Sequence, residues 1–168
     1  MDWLEVNRLS LNVKKTHYII FSGRNKSVSD IDIYIKNNKI DRTDSTKFLG
    51  VQIDHKLSWK CHIEYVNAKL AKCVGILVKA RKNLPKDVLR NLYYTFAYPY
   101  FTYCIHVWGK ACTTYLDKLV KTQKKLVRII TCSKYLEHTA PLFRQTRLLT
   151  LQEIYVYVMG TFMYKYHN

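Results

Sequence analysis

The sequence predicts an α+β protein, in which a small antiparallel sheet with a hairpin comes first and a helical bundle follows. Three observations carry this. Ile31, Ile33 and Ile35 alternate with Asp32, Tyr34 and Lys36, the period-two pattern of a strand with one buried face. From Leu57 onward, Ile63, Val66, Leu70, Cys73, Val74 and Leu77 recur at three- and four-residue steps, the period of a helix. Leu84-Pro85-Lys86-Asp87 and Thr150-Leu151-Gln152-Glu153 then punctuate the helical part, one as a stop and restart and the other as a capping box.

Taken in order, His17 to Ser22 is a short run rich in Ile, Tyr and Phe, and Gly23 to Ser27 is rich in turn formers, so a strand followed by a turn is expected. Asn37-Asn38 follows the alternating segment, and asparagine tolerates the positive φ of a tight hairpin. A further strand is expected over Lys47 to Ile53. Ser58 to Arg81 reads as one long helix, and Val88, Leu89, Leu92, Tyr93 and Phe96 form the stripe of a second, which Pro99 should end or kink. The apolar segment Phe101 to Trp108 fits either period, and Gly109 marks a break before a third helix, Thr114 to Thr131. A fourth begins at the capping box, with Ile154, Tyr155, Val158, Phe162 and Met163 on one stripe.

The 168 residues suffice for one core or two small lobes, since a domain near this size buries roughly 70% of its unfolded surface. With 48% apolar and 24% charged residues, the chain lies far from the composition of disordered segments. Its charge is unusual: 28 Lys+Arg against 12 Asp+Glu leave a net +16. Self-repulsion of that size points to a polyanionic partner, with nucleic acid first and an anionic membrane or acidic protein second. Five cysteines, Cys61, Cys73, Cys104, Cys112 and Cys132, are odd in number and widely spread, and read as reduced, buried thiols. Cys104, His106 and Cys112 lack the paired spacing of a zinc site. With neither a signal-like N-terminus nor a run of roughly 20 apolar residues, the chain reads as soluble and intracellular, in nucleus or cytoplasm alike.

At about 100° per residue, Lys118, Lys121, Lys125 and Arg128 fall in one narrow arc of the third helix, opposite Leu116, Leu119, Val120, Val127 and Ile130. Apart from Asp117, no acidic residue stands at helical spacing to neutralise them. The stripe is a candidate phosphate-tracking surface, with a plain solvated face as the alternative. Lys69, Lys72, Lys79, Arg81, Lys82, Lys86 and Arg90 form a second basic region around the Leu84-Pro85 corner. No catalytic residue can be nominated. Asp30 and Asp32 share one face of a strand, but their alternation with isoleucines favours a solvated face over a metal site, and Asp54-His55 reads as loop. No Gly-rich phosphate loop or nucleophile-base constellation occurs.

Two blocks together carry a resemblance. Trp3, then Asn7-Arg8-Leu9-Ser10-Leu11-Asn12, then Lys14-Lys15-Thr16 and Phe21 resembles the W…N-x-L-x-L-N-x-x-K-T-x-x-x-x-F passage of non-LTR retrotransposon reverse transcriptases, the jockey-like ones in particular. Lys47-Phe48-Leu49-Gly50-Val51-Gln52-Ile53-Asp54, followed by Leu57-Ser58-Trp59 and His62-Ile63, is similar to that family's F-L-G-V-x-x-D-x-x-L-x-W-x-x-H-I block. Resemblance continues through Leu84-Pro85, Tyr98-Pro99, Val107-Trp108-Gly109, Gln123-Lys124-Lys125 and Arg128-Ile129-Ile130.

The resemblance implies the end of a polymerase palm over residues 1–56 and a helical thumb-like region over 57–168. Lys15 would match the palm lysine near the incoming nucleotide's phosphates. Phe48-Leu49-Gly50 would match the primer grip, a tight hairpin whose glycine lets backbone approach the primer end. Each has a plainer counterpart: an exposed lysine, two core residues, a bulge. The family's paired aspartates, which hold two divalent ions, have no counterpart, since no Y/F-x-D-D occurs here. The expectation is therefore a reverse transcriptase region that binds RNA or an RNA–DNA hybrid, acts with the rest of a polymerase, and holds no metal or other cofactor itself. Magnesium would belong to the missing catalytic part. The alternative is a basic helical module that binds an acidic protein or an anionic membrane surface and has no enzymatic role.

Overall fold

A computed structural model describes residues 2–23, 31–35 and 37–167, excepting the side chains of Asp2 and Glu5. The expected turn at 24–27, Lys36 in the alternating strand and the Asp30 half of the carboxylate pair lie outside the described residues. The chain divides into two compact units, Met1–Ser58 and Trp59–Asn168, the first α/β and the second helical.

The first unit opens with α1 (Asp2–Val6) and a 3₁₀ turn (Val13–Lys15), then β1 (His17–Tyr18), β2 (Ile33–Ile35), β3 (Asn38–Arg42), β4 (Ser45–Phe48) and β5 (Val51–Asp54). β2 and β3 pair antiparallel with Ile35 opposite Asn38. Asn37, at φ 62°, makes the turn and Asn38 is already in the strand. β1, however, pairs parallel with β3. The connection from Tyr18 to Asn38 is long enough for the crossover that a parallel pair needs, whereas the sequence reading expected antiparallel neighbours alone. That strand is also shorter than the predicted 17–22, because only two of its residues have a ladder partner. The isoleucines do not form a buried face: Ile31 and Ile33 are exposed and Ile35 half-buried, since among the described residues β2 borders only β3. In this unit, Ile40 and Val51 are the buried apolar residues among those described.

The predicted single strand over 47–53 is a hairpin. β4 and β5 pair from Ser45 opposite Asp54 to Phe48 opposite Val51, and Leu49 (φ 44°) and Gly50 (φ 85°) close the turn. Two consecutive positive φ values match the right-handed twist of the flanking strands. Asp54, expected in a loop, is the buried last residue of β5. Its carboxylate accepts hydrogen bonds from the backbone N–H of Lys56 (3.1 Å) and Ser58 (3.0 Å), and from the Ser58 hydroxyl (3.2 Å), satisfying the donors of the turn that leaves the sheet.

The second unit contains α2 (Lys60–Ala80), α3 (Lys86–Leu92), a π turn (Tyr93–Ala97), α4 (Tyr98–Thr102), α5 (Ile105–Trp108), α6 (Thr113–Thr131), α7 (Thr139–Thr146) and α8 (Leu151–His167). Pro99 does not end the second predicted helix. It sits in the first turn of α4, where its missing N–H costs nothing, and the π turn immediately before it absorbs the mismatch. The Cys73 thiol donates to the Phe96 carbonyl in that turn (3.2 Å). None of the five cysteines forms a disulfide among the described residues; Cys73 is buried and Cys104 half-buried, but Cys61, Cys112 and Cys132 are exposed rather than buried as expected.

One core fills this unit. Ile63, Leu70 and Leu77 of α2 pack with Leu89, Phe101, Ile105 and Trp108, with Leu119 and Leu126 of α6 and with Ile154 of α8. The periodicity of α2 selects Ile63, Leu70 and Leu77 correctly, and that of α6 selects Leu119, Val127 and Ile130 but omits Leu126, while Leu116 and Val120 are half-buried. Trp108 is fully buried, and its indole N–H donates to the Tyr103 carbonyl (2.9 Å). His62 lies edge-on to it, with ring centroids 5.5 Å apart. The capping box of α8 forms as predicted: Glu153 accepts from the Thr150 N–H (2.8 Å) and its own N–H donates to the Thr150 hydroxyl (3.3 Å).

Burial lowers the pKa of His62, because the core disfavours the charged imidazolium. A depressed pKa means that the unfolded chain binds the proton more readily, so this stabilising contribution is complete above the unfolded histidine value of about 6.5 and is lost as pH falls through the folded value. Thermal melts between pH 7.5 and 5 should therefore show a declining Tm, and the decline should be shallower in His62→Gln. Equal slopes in the two proteins would remove His62 as its source.

Candidate nucleic-acid interface

The candidate residues fall in both units, and each unit carries a distinct set. In the first, Lys15 ends the 3₁₀ turn with its side chain exposed, and its N–H donates to the Asn12 carbonyl (3.0 Å). Phe48, Leu49 and Gly50 form the tip of the β4–β5 hairpin. Phe48 is 61% and Leu49 75% exposed, so neither is the core residue that the plainer reading made it. Gly50 is a turn residue rather than a bulge. A tight turn that projects two apolar side chains beside a glycine can offer a flat contact and a backbone open to close approach.

In the second unit, α6 brings Lys118, Lys121, Lys125 and Arg128 onto one face, opposite buried Leu119, Leu126, Val127 and Ile130. Tertiary packing alters the charge of that face. Glu64 of α2 reaches Lys118 (3.1 Å), with both side chains 46% exposed. Arg128 is drawn to the end of the helix, where its Nε–H donates to the Glu137 carbonyl (2.9 Å). No carboxylate other than Asp117 stands at helical spacing on α6, but Glu64, far away in sequence, neutralises Lys118 from the neighbouring helix. Lys121 and Lys125 stay exposed with no ion pair among the described residues, and Lys124, which the stripe omitted, is exposed beside them. An exposed pair such as Lys118–Glu64 is worth about 0–1 kcal/mol and can be exchanged for a stronger anion.

Gln123, one turn from these lysines, faces inward and is buried. Its side-chain amide donates to the Tyr93 hydroxyl (3.1 Å) and the Leu149 carbonyl (2.9 Å) and accepts from the Leu151 N–H (2.9 Å). It thereby fixes α6 against the π turn and the start of α8. The basic region around Leu84-Pro85 is partly spread over aromatic rings, with Lys69 5.3 Å from the Tyr65 centroid and Arg90 5.7 Å from that of Tyr94, within the range of cation–π attraction.

Among the described residues, no group of three His, Cys, Asp or Glu is placed to hold a metal. Asp32 pairs with Lys39 (2.6 Å), and the Asp54 carboxylate is occupied by backbone amides. Among the described residues, no helix is long and apolar enough to cross a membrane.

The curated proteins that the chain matches are polymerases of mobile elements. The chain is 22% identical over 153 residues to a probable RNA-directed DNA polymerase from the transposon X-element of Drosophila melanogaster, a match covering 89% of this chain and 17% of that protein. This chain is similar to retrotransposon RNA-directed DNA polymerases. It is 26% identical over 150 residues to the RNA-directed DNA polymerase from the mobile element jockey of Drosophila funebris, covering 87% of this chain and 15% of that protein. A probable polymerase from transposon BS of Drosophila melanogaster is 23% identical over 157 residues, covering 90% of this chain and 17% of that protein. The chain thus spans about a sixth of the length of these retrotransposon polymerases. No family model matches it, and no solved structure matches it.

Proposed function

We propose that this chain corresponds to the palm end and thumb of a non-LTR reverse transcriptase and that it holds template–primer by the phosphate backbone without carrying the polymerase centre. The observation that supports this best is the face of α6, where exposed Lys121, Lys124 and Lys125 stand without ion-pair partners among the described residues in a chain of net charge +16 similar to RNA-directed DNA polymerases. Such a face reads charge rather than base sequence. The hairpin tip at Phe48, Leu49 and Gly50 is the counterpart of a primer grip in this reading, and Lys15 a second phosphate contact. The apolar surface of Trp3, Leu9, Leu11 and Phe21, exposed in the first unit, is then a face for the rest of a polymerase.

The test is a salt titration of binding to an RNA–DNA hybrid. Log affinity should fall linearly with log salt, with a slope of about −0.9 per phosphate contacted on a duplex. Lys121→Glu with Lys125→Glu should reduce its magnitude by about 2 and weaken all sequences alike. An unchanged slope would remove α6 from the interface. Metal-dependent DNA synthesis by the purified chain alone would contradict the absence of a polymerase centre.

A further inference from the structure

The second unit contains a cavity of about 370 Å³ that the α6 stripe does not include. Lys86 and Arg90 of α3, Arg147 just beyond α7 and the C-terminal turns of α6 and α7 line it. This volume is within the range of small-ligand sites. Three cations face it against one carboxylate, Asp87. Among the described residues, no hydrogen bond or ion pair occupies the side chains of Lys86 and Arg147. Arg90 lies over the Tyr94 ring, and its Nε is buried without a hydrogen-bond partner among the described residues. A buried guanidinium donor left unmatched is costly. The two arginines also present planar forks suited to the oxygens of a phosphate.

We infer that the Lys86–Arg90–Arg147 cavity is a phosphate-binding site, taking either a backbone phosphate of a bound nucleic acid or a free polyphosphate. The first source rests on the template–primer reading above, and the second does not. The simpler role for these cations is to offset the carbonyl ends of α6 and α7. That role accounts for their position but not for the open volume or for the Arg90 Nε.

Arg147 offers an unusual separation of binding from stability. It occupies φ 52°, a left-handed position at a helix end where glycine is at ease. Arg147→Gly thus removes a cation while relaxing the backbone, and its Tm should not fall. The experiment uses the whole chain, with isothermal titration of sodium pyrophosphate and the hybrid salt titration run on Arg147→Gly and Arg90→Gln. The expected result is pyrophosphate affinity weakened by about tenfold in each variant, the loss of one charge-assisted contact. A hybrid slope smaller by about 1 would identify a backbone phosphate as the occupant. A lost pyrophosphate response with an unchanged hybrid slope would identify a free polyphosphate instead. Pyrophosphate affinity unchanged in both variants would overturn the site. Failure of the α6 variants to alter hybrid binding would sink the template–primer reading and leave the pyrophosphate result standing.

Discussion

Gly109→Ala should destabilise the helical unit by about 3 kcal/mol, the upper end of the usual cost of overpacking, and lower Tm by roughly 5–10 °C. Gly109 has φ −66°, so its conformation is open to any residue and the reason lies in space. A Cβ there would lie 2.5 Å from the Ile105 carbonyl oxygen and 3.0 Å from its Cγ1, and closer still to Cδ2 of Tyr155. The first of these is backbone and cannot swing away. Tyr155 would have to move, and α8 with it, at the point where α8 packs on α5. The control is Gly75→Ala, on the exposed side of α2, where nothing lies within 4 Å of the added methyl. There the helix gains alanine's propensity, and stability should rise by about 0.5–1 kcal/mol. Circular-dichroism melts of both variants check the pair. Two similar small shifts would mean that α8 does not close on Gly109 in solution.

Gln123→Leu should cost about 2–4 kcal/mol while nearly conserving volume, because the penalty comes from the groups left behind. The Leu149 carbonyl, the Leu151 N–H and the Tyr93 hydroxyl each bond to this one amide. A buried group stripped of its partner costs about 1–3 kcal/mol, moderated here because Leu149 is partly exposed. Tyr93 is held neutral, since burial pushes its pKa far above the usual tyrosine value, so ionisation cannot relieve it. Urea unfolding should show a lower midpoint with an unchanged m-value. Stability within about 0.5 kcal/mol of the parent would show that water replaces the amide.

Periodicity located the helices best where they are long. Lys60–Ala80 and Thr113–Thr131 fall within two residues of the predicted spans, because one face of each is buried throughout and the apolar spacing records it. The capping box was legible for the same local reason: donor and acceptor stand three residues apart. In contrast, α7 was not assigned, being eight residues long with two large apolar side chains buried, Leu142 and Phe143. The hairpin of β4 and β5 was hidden from the residue pattern, which ran through it as one strand, and emerged only from the resemblance at Phe48-Leu49-Gly50.

By itself, the sequence determined the α+β order of elements, most of the buried faces of α2 and α6, the basic face opposite one of them and the similarity to retrotransposon polymerases. These depend on spacing within one segment or on the order of motifs along the chain. Only the tertiary structure decided which lysines of the stripe stay unpaired, that Gln123 rather than a lysine binds α6 to its neighbours, that β1 joins β3 in parallel, and that Lys86, Arg90 and Arg147 face one cavity. Each of those depends on two residues far apart in sequence arriving within a few ångströms, which no local periodicity encodes.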